Sequence, residues 1–365
     1  MIAPLAKFID WSVFQVLTML LPRDDGRNLR LEEALQFLKG PDFLPVESQP
    51  ARVEFNPDKS GLHFRFPTPC PCDFEENNVV YGRLYRCGER WQERPVIILL
   101  HGGSDFPNHR FGFPLIARRC NRAGFNAATL ELPYHFQRRP RQHGVLTQVD
   151  YLRTSRALAQ AVAEIRALTG WLLAEGCPAV ALWGLSLGAL LTGMTVCRDA
   201  RPASVVMTAS PDNYFLQVDQ IFSRHGRGIP PEWRPALEAL GMTRATLSSS
   251  QPVITKENIL LIEGMYDPLV SSGQNELWHK WGQPEIWRLP HGHIGICSGL
   301  IPGLTGRVLR WLTLRLDTPT IRQHQMTPPN KSLQATGAAL PALDGRSSSA
   351  SRFTLVGPAC LSSGR

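Results

Sequence analysis

Apolar positions recur along this chain with two rhythms. In "MIAPLAKFIDWSVFQVLTMLLP", Ile9, Val13, Val16, Leu17 and Leu20 fall at three- and four-residue intervals, which predicts an amphipathic helix docked on the protein through that face. A second short helix is predicted within residues 24–48, where "NLRLEEALQFLKG" is closed by Gly40 and Pro41. From Arg52 the period shortens. "ARVEF", "HFRF" and "NVVYGRLYRC" are β-branched or aromatic and separated by Pro, Asp and Gly, which predicts antiparallel strands opening a mixed sheet.

Farther on, strand-length apolar runs alternate with helical stretches. "PVIILLHG", "NAATLELP", "AVALWG", "ASVVMTA", "NILLIEG" and "EIWRLP" read as strands, while "FPLIARRCNRAGF" and a long stretch from about Val149 to Glu175 read as helices. This alternation predicts an α/β fold with a mostly parallel central sheet and helices on both faces. Such sheets carry their sites at the carboxyl ends of the strands. The segment between "VVMTA" and "NILLIEG" is longer than a crossover needs, so residues 211–252 read as a small helical cap insertion. The plainer alternative is one crossover helix with a long loop.

The organisation expected is a helical extension over residues 1–48, an α/β domain over 49–316 and a tail over 317–365. Ser, Pro and Gly supply 16 of the last 49 residues, and apolar periodicity ends there, so the tail reads as disordered. No internal repeat is visible.

Composition adds bounds. Across 365 residues, 43% hydrophobic and 19% charged allow a large core. The net charge of +8 suggests acidic partners, but three of those charges lie in the tail. Basic clusters such as "RRPR" (Arg138 to Arg141) carry no interleaved aromatics, which argues against nucleic acid. The eight cysteines follow no secretory signal and no regular spacing, so a cytoplasmic location is expected. Cys120, Cys177 and Cys197 read as core residues. Cys70 and Cys72 with Cys87 lack the second ligand pair of a metal site, so no metal is expected. In the first segment, Lys7 and Asp10 interrupt the apolar run, and Trp11 to Leu21 is too short to span a bilayer. Weak contact with a membrane surface is the remaining membrane role for that helix.

The candidate chemistry centres on "GLSLG", Gly184 to Gly188. G-x-S-x-G alone is a weak signal, but here it joins a predicted strand to a predicted helix, the context of a nucleophile elbow. Glycines suit that bend because its backbone is strained and a Cβ at either flank meets the neighbouring strand or helix. A serine hydroxyl needs a base, and the base needs an orienting acid. Asp267 in "EGMYDPLVSS" and His293 in "RLPHGHIGI" each follow a predicted strand. Asp212 in "SPDNY" competes as the acid and His291 as the base. "HGGSD" ends an earlier strand at His101, Gly102, Gly103 and Ser104, where glycine amides can turn toward a developing oxyanion, with the Leu187 amide as second donor. His101 reads as shaping that loop. His135 reads as an exposed loop residue or a lining of the substrate pocket, together with Phe215, Ile221 and Trp233 from the cap.

Over about residues 75–315 the chain resembles the α/β-hydrolase superfamily, through "HGGS", "GLSLG", "GMYDP" and "HGH" in family order. The resemblance implies Ser186 as nucleophile, His293 as general base, Asp267 as orienting acid, and the Gly103 and Leu187 amides as oxyanion hole. It implies a serine hydrolase of the esterase, lipase or thioesterase kind that cleaves a small-molecule acyl ester or thioester through an acyl-enzyme, with no cofactor. The alternatives are acyl transfer by the same triad, and a non-catalytic binding or scaffold protein that keeps the fold.

Overall fold

The computed structural model describes residues 2–20, 30–41, 43–44, 49–58, 61–103, 108–140, 150–224, 226, 229–270, 273–298 and 301–316. The predicted tail, Ser104 and Arg141 lie outside the described residues. Two helices come first, α1 (Ile2–Leu20) and α2 (Leu31–Lys39), followed by strands β1 (Glu54–Asp58), β2 (Gly61–Pro67) and β3 (Val79–Tyr85). Then come β4 (Val96–Leu100), α3 (Phe113–Arg122), β5 (Asn126–Leu130), α4 (Tyr151–Ala174), β6 (Val180–Leu185), α5 (Leu187–Val196) and β7 (Pro202–Thr208). Next are α6 (Tyr214–Arg224), α7 (Arg234–Gly241), β8 (Ile259–Gly264), α8 (Gly273–Lys280), β9 (Glu285–Leu289), α9 (His293–Cys297) and α10 (Leu304–Leu316).

The strands form one nine-stranded sheet in the order β1-β2-β3-β5-β4-β6-β7-β8-β9. The pairings β1/β2, β2/β3 and β3/β5 are antiparallel. The rest are parallel. In β3 burial alternates along the strand, whereas every residue of β4, β5 and β6 is buried. A parallel strand covered on both faces has no solvent side, which is why β4 and β6 are apolar throughout, while the buried Asn126 of β5 is held by hydrogen bonds to the Trp91 and Arg94 carbonyls. Alternate residues feed two cores. Ile98, Leu100 and Leu182 join α2, α4 and α5 on one face, and Ile97, Leu99 and Trp183 join α3 and α10 on the other.

Leu31, Ala34 and Leu38 of α2 are part of the first core, so this helix is integral to the α/β unit. The N-terminus of α4 is capped by Asp150, whose side chain accepts the Arg153 N–H at 2.8 Å. On α4, Glu164 receives a bidentate Arg138 at 2.6 and 2.7 Å, and both side chains are fully buried. Arg138 also donates to the carbonyls of Glu131 and Asn77, and Thr68 donates to Glu164. This network anchors the loop that follows β5.

One expectation is corrected here. Helix α1 does not dock through Ile9 and Val16, which are 42% and 55% exposed; the side chains of Leu17 and Leu20 lie outside those described. Its inward face runs through half-buried Ala6, Val13 and Phe14 and centres on buried Asp10. Hydrophobic spacing located the helix but not its contact face, because a carboxylate with partners in the protein outweighs a pair of apolar side chains. Among the described residues no helix is long and apolar enough to cross a membrane.

Candidate active site

Ser186 occupies the bend between β6 and α5 with φ 51° and ψ −114°, a conformation that costs an L-residue of order 1–3 kcal/mol. Its N–H donates to the Thr208 carbonyl of β7 at 2.8 Å, which ties the bend to the adjacent strand. Both flanking glycines are sterically required. A Cβ on Gly184 would lie 2.2 Å from the Gly188 carbonyl oxygen, and one on Gly188 would lie 2.3 Å from the Leu100 carbonyl oxygen. The turn therefore packs backbone against backbone, with the hydroxyl projecting beyond the strand ends.

His293, at the start of α9, and Asp267, after β8, converge on that hydroxyl. His293 Nδ1 lies 2.7 Å from Asp267 Oδ2, and His293 Nε2 lies 3.0 Å from Ser186 Oγ. An ionised carboxylate only accepts, so Nδ1 carries the hydrogen and Nε2 is left to accept from the hydroxyl. The other oxygen of Asp267, Oδ1, accepts the N–H groups of Leu269 and Val270 at 2.8 and 3.2 Å, which fixes the carboxylate plane. Gly264, closing β8, lets the two loops pass: a Cβ there would lie 2.6 Å from the His291 carbonyl oxygen.

The competing residues stand elsewhere. Asp212 accepts the Ser248 N–H at 2.8 Å and the Ser248 hydroxyl at 2.6 Å, so it braces the loop after α7. The His291 carbonyl accepts the Tyr266 N–H at 3.1 Å, a contact between the acid and base loops made by the main chain.

Gly103 follows β4, and a Cβ built on it would have Leu187 Cδ2 as its nearest neighbour, at 4.0 Å. His101 is fully buried, with Nδ1 2.7 Å from the Gly102 carbonyl and Nε2 accepting the Leu132 N–H at 3.1 Å. It thus links the loop after β4 to the loop after β5. Burial, and secondarily His135, holds its pKa well below the usual imidazole range.

His135 is not an exposed loop residue. It is 4% exposed, its ring 5.0 Å from that of His101, and burial lowers its pKa to about 4. Phe215 is likewise withdrawn, packed 5.5 Å from the Tyr151 ring within the first core. Ile221 and Trp233 are half-buried. The region between β7 and β8 holds α6 and α7, and α6 reaches the acid loop through Gln217 to the Leu269 carbonyl and Arg224 to the Pro268 carbonyl. Leu216, Asp219, Arg224 and Arg234 line a cleft between α6 and α7 that includes neither Ser186 nor His293.

Cys72 accepts from Asn77 Nδ2 at 3.3 Å and Cys87 donates to the Asn121 carbonyl at 3.2 Å. Among the described residues no three His, Cys, Asp or Glu side chains are grouped to hold a metal ion.

Two residues at the site carried no functional reading in the sequence. Asp10 Oδ2 accepts the His293 N–H at 2.6 Å, and the Phe14 ring lies 5.9 Å from the His293 imidazole. The one signal was a carboxylate interrupting an apolar run.

A nine-stranded, mostly parallel sheet with antiparallel leading strands, helices on both faces and a strand-to-helix serine bend is the α/β-hydrolase fold. Residues 64–216 match the family model "Alpha/beta hydrolase domain containing 18". The acetyl xylan esterase from Paenibacillus sp. R4 superposes with a TM-score of 0.52 at 15% identity, over 83% of this chain and 99% of that one. Acetyl xylan esterase 1 from Thermoanaerobacterium sp. JW/SL YS485 gives 0.53 at 13% identity, over 81% and 95%. No protein of curated function matches the sequence.

Proposed function

We propose that the protein is a serine hydrolase that cleaves a carboxylic ester or thioester through an acyl-enzyme. The observation that carries this reading is the imidazole of His293, within hydrogen-bond reach of Ser186 Oγ on one side and Asp267 on the other. Ser186 Oγ attacks the carbonyl carbon as its proton passes to His293 Nε2, and Asp267 stabilises the imidazolium. The carbonyl oxygen becomes an oxyanion. Leu187 opens α5, where a first-turn amide has no partner within the helix, and together with the Gly103 amide it supplies the donors. Each such donor is worth roughly 10²–10³ in rate. Collapse expels the alkoxide or thiolate, which takes the proton from Nε2. Water then attacks the acyl group, giving its proton to His293, and the acid leaves as Ser186 is restored.

The test is labelling with a fluorophosphonate, mapped by mass spectrometry, beside a panel of p-nitrophenyl esters of increasing chain length. Modification is expected at Ser186, and Ser186→Ala should lose labelling together with at least about 10⁴-fold in turnover. A folded Ser186→Ala that hydrolyses at the wild-type rate overturns the mechanism.

A further inference from the structure

Asp10 is a buried carboxylate on a helix whose other described side chains are exposed or half-buried, and among the described residues its side chain accepts hydrogen bonds from the base loop. Its Oδ2 accepts the His293 N–H at 2.6 Å and its Oδ1 accepts the Ile294 N–H at 2.9 Å. Gly292 makes room for it, because a Cβ at that position would lie 2.4 Å from Asp10 Oδ2. One helical turn on, Phe14 sets its ring 5.9 Å from the imidazole at 55°. A single turn of α1 therefore touches His293 on both its main chain and its ring. The proton-transfer scheme above uses neither contact.

We propose that Asp10 is a positioning residue for His293: it anchors the backbone of the base above Ser186 and sets a second negative charge near the imidazole, in addition to that of Asp267. The proposal rests on the serine-hydrolase reading. Taking a carboxylate out of water is costly unless its lone pairs are satisfied, and two charge-assisted bonds to main-chain amides are a strong form of satisfaction. Because Asp10 spends both oxygens on main chain, it fixes where His293 starts; Asp267 fixes how its ring turns.

Among the described residues, the groups that face His293 include Asp267 from the loop after β8, Asp10 from α1 and the Ser186 hydroxyl from the bend after β6. His291 lies two residues before it on the same loop. Asp10 faces His293 and Asp267, and Lys7 of its own helix is exposed. Burial raises the pKa of the Asp10 carboxyl; the Ile294 and His293 amides and the charge on the His293 ring oppose that rise, and Asp267 adds to it. Asp10 and His293 therefore favour each other's charged forms. When His293 takes the serine proton, two carboxylates share the positive charge.

The test compares Asp10→Asn with the wild type in pH profiles of kcat and kcat/KM and in the rate of fluorophosphonate labelling. Removing the anion makes the imidazole a weaker base, so the acid limb of kcat/KM should move to lower pH by about half to one unit. Asn also turns an NH₂ group toward one of the two amides, so kcat should fall about 10- to 100-fold with KM within about twofold. Gly292→Ala, which keeps the carboxylate but forces it away, should shift the limb in the same direction and serves if Asp10→Asn does not fold. A folded variant whose acid limb stays at the wild-type pH overturns the proposal, whatever its kcat, because a merely structural prop leaves that limb unmoved. Wild-type protein that is labelled at Ser186 while both variants are indifferent overturns this inference alone. Absence of Ser186 labelling in the wild type overturns the mechanism and this inference with it.

Discussion

At the scale of single residues, the bend around Ser186 is held by what its neighbours lack. A methyl on Gly188 would meet the carbonyl of Leu100, which sits in the sheet ladder and cannot retreat. Gly188→Ala should therefore cost more than about 4 kcal/mol or leave no folded protein. Gly88→Ala, at φ 91° with open space around it, meets backbone strain alone and should cost about 1–2 kcal/mol; urea midpoints distinguish them. For the two candidate acids, Asp267→Asn should lower kcat by about 10⁴, because an amide no longer holds the imidazole in the needed tautomer. Asp212→Asn should leave kcat within a few-fold and cost about 1–2 kcal/mol, the worth of its bonds to Ser248. Equal losses of activity in both variants would contradict the geometry. Ser186, Asp267 and His293 were legible as residues because each follows an apolar run that ends in a turn. Asp10 was not, since its partner lies 283 positions away and a carboxylate interrupting an apolar run does not say what it would bind.

At the scale of elements, β4 and β6 were readable because burial on both faces leaves an unbroken apolar run. The strand order was not. That β5 lies between β3 and β4 follows from crossover geometry, which leaves no local mark on sequence. Helix α4 was readable by length, but the role of Glu164 was hidden, since a charge on a helix usually marks its wet side. Here it pairs with Arg138 at zero exposure. Removing one partner strands the other in the core, so Glu164→Gln should destabilise by about 3–5 kcal/mol. The same bond network carries the loop that binds His101, so the variant's thermal denaturation and its labelling rate should fall together. The region read as a cap does contain two helices, α6 and α7; its aromatic anchor Phe215, however, is spent on the core rather than offered to a substrate.

At the scale of the whole molecule, the histidines behind the loop after β4 set a limit on acid stability. His135 is held neutral, its pKa lowered from 6.5 to about 4 by burial. A depressed imidazole pKa means that the unfolded chain takes up the proton first. Its stabilising contribution is complete above pH 6.5 and is lost as pH falls toward 4, amounting to roughly 3 kcal/mol over that window. His135→Asn, which cannot titrate, should flatten the fall in melting temperature between those pH values; parallel wild-type and variant curves would show that the ring is not held neutral.

The contact between α1 and the base loop also orders events in time. Asp10 leaves the ribosome long before the two amides it binds, and at roughly 5–20 residues per second the intervening 283 positions take on the order of 15–60 s to synthesise. Until then α1, with Leu5, Phe8 and Trp11 on its surface, has no seat. Asp10 therefore cannot reach its partner amide until β9 has been made, and the contact joins the two ends of the α/β unit only late in synthesis.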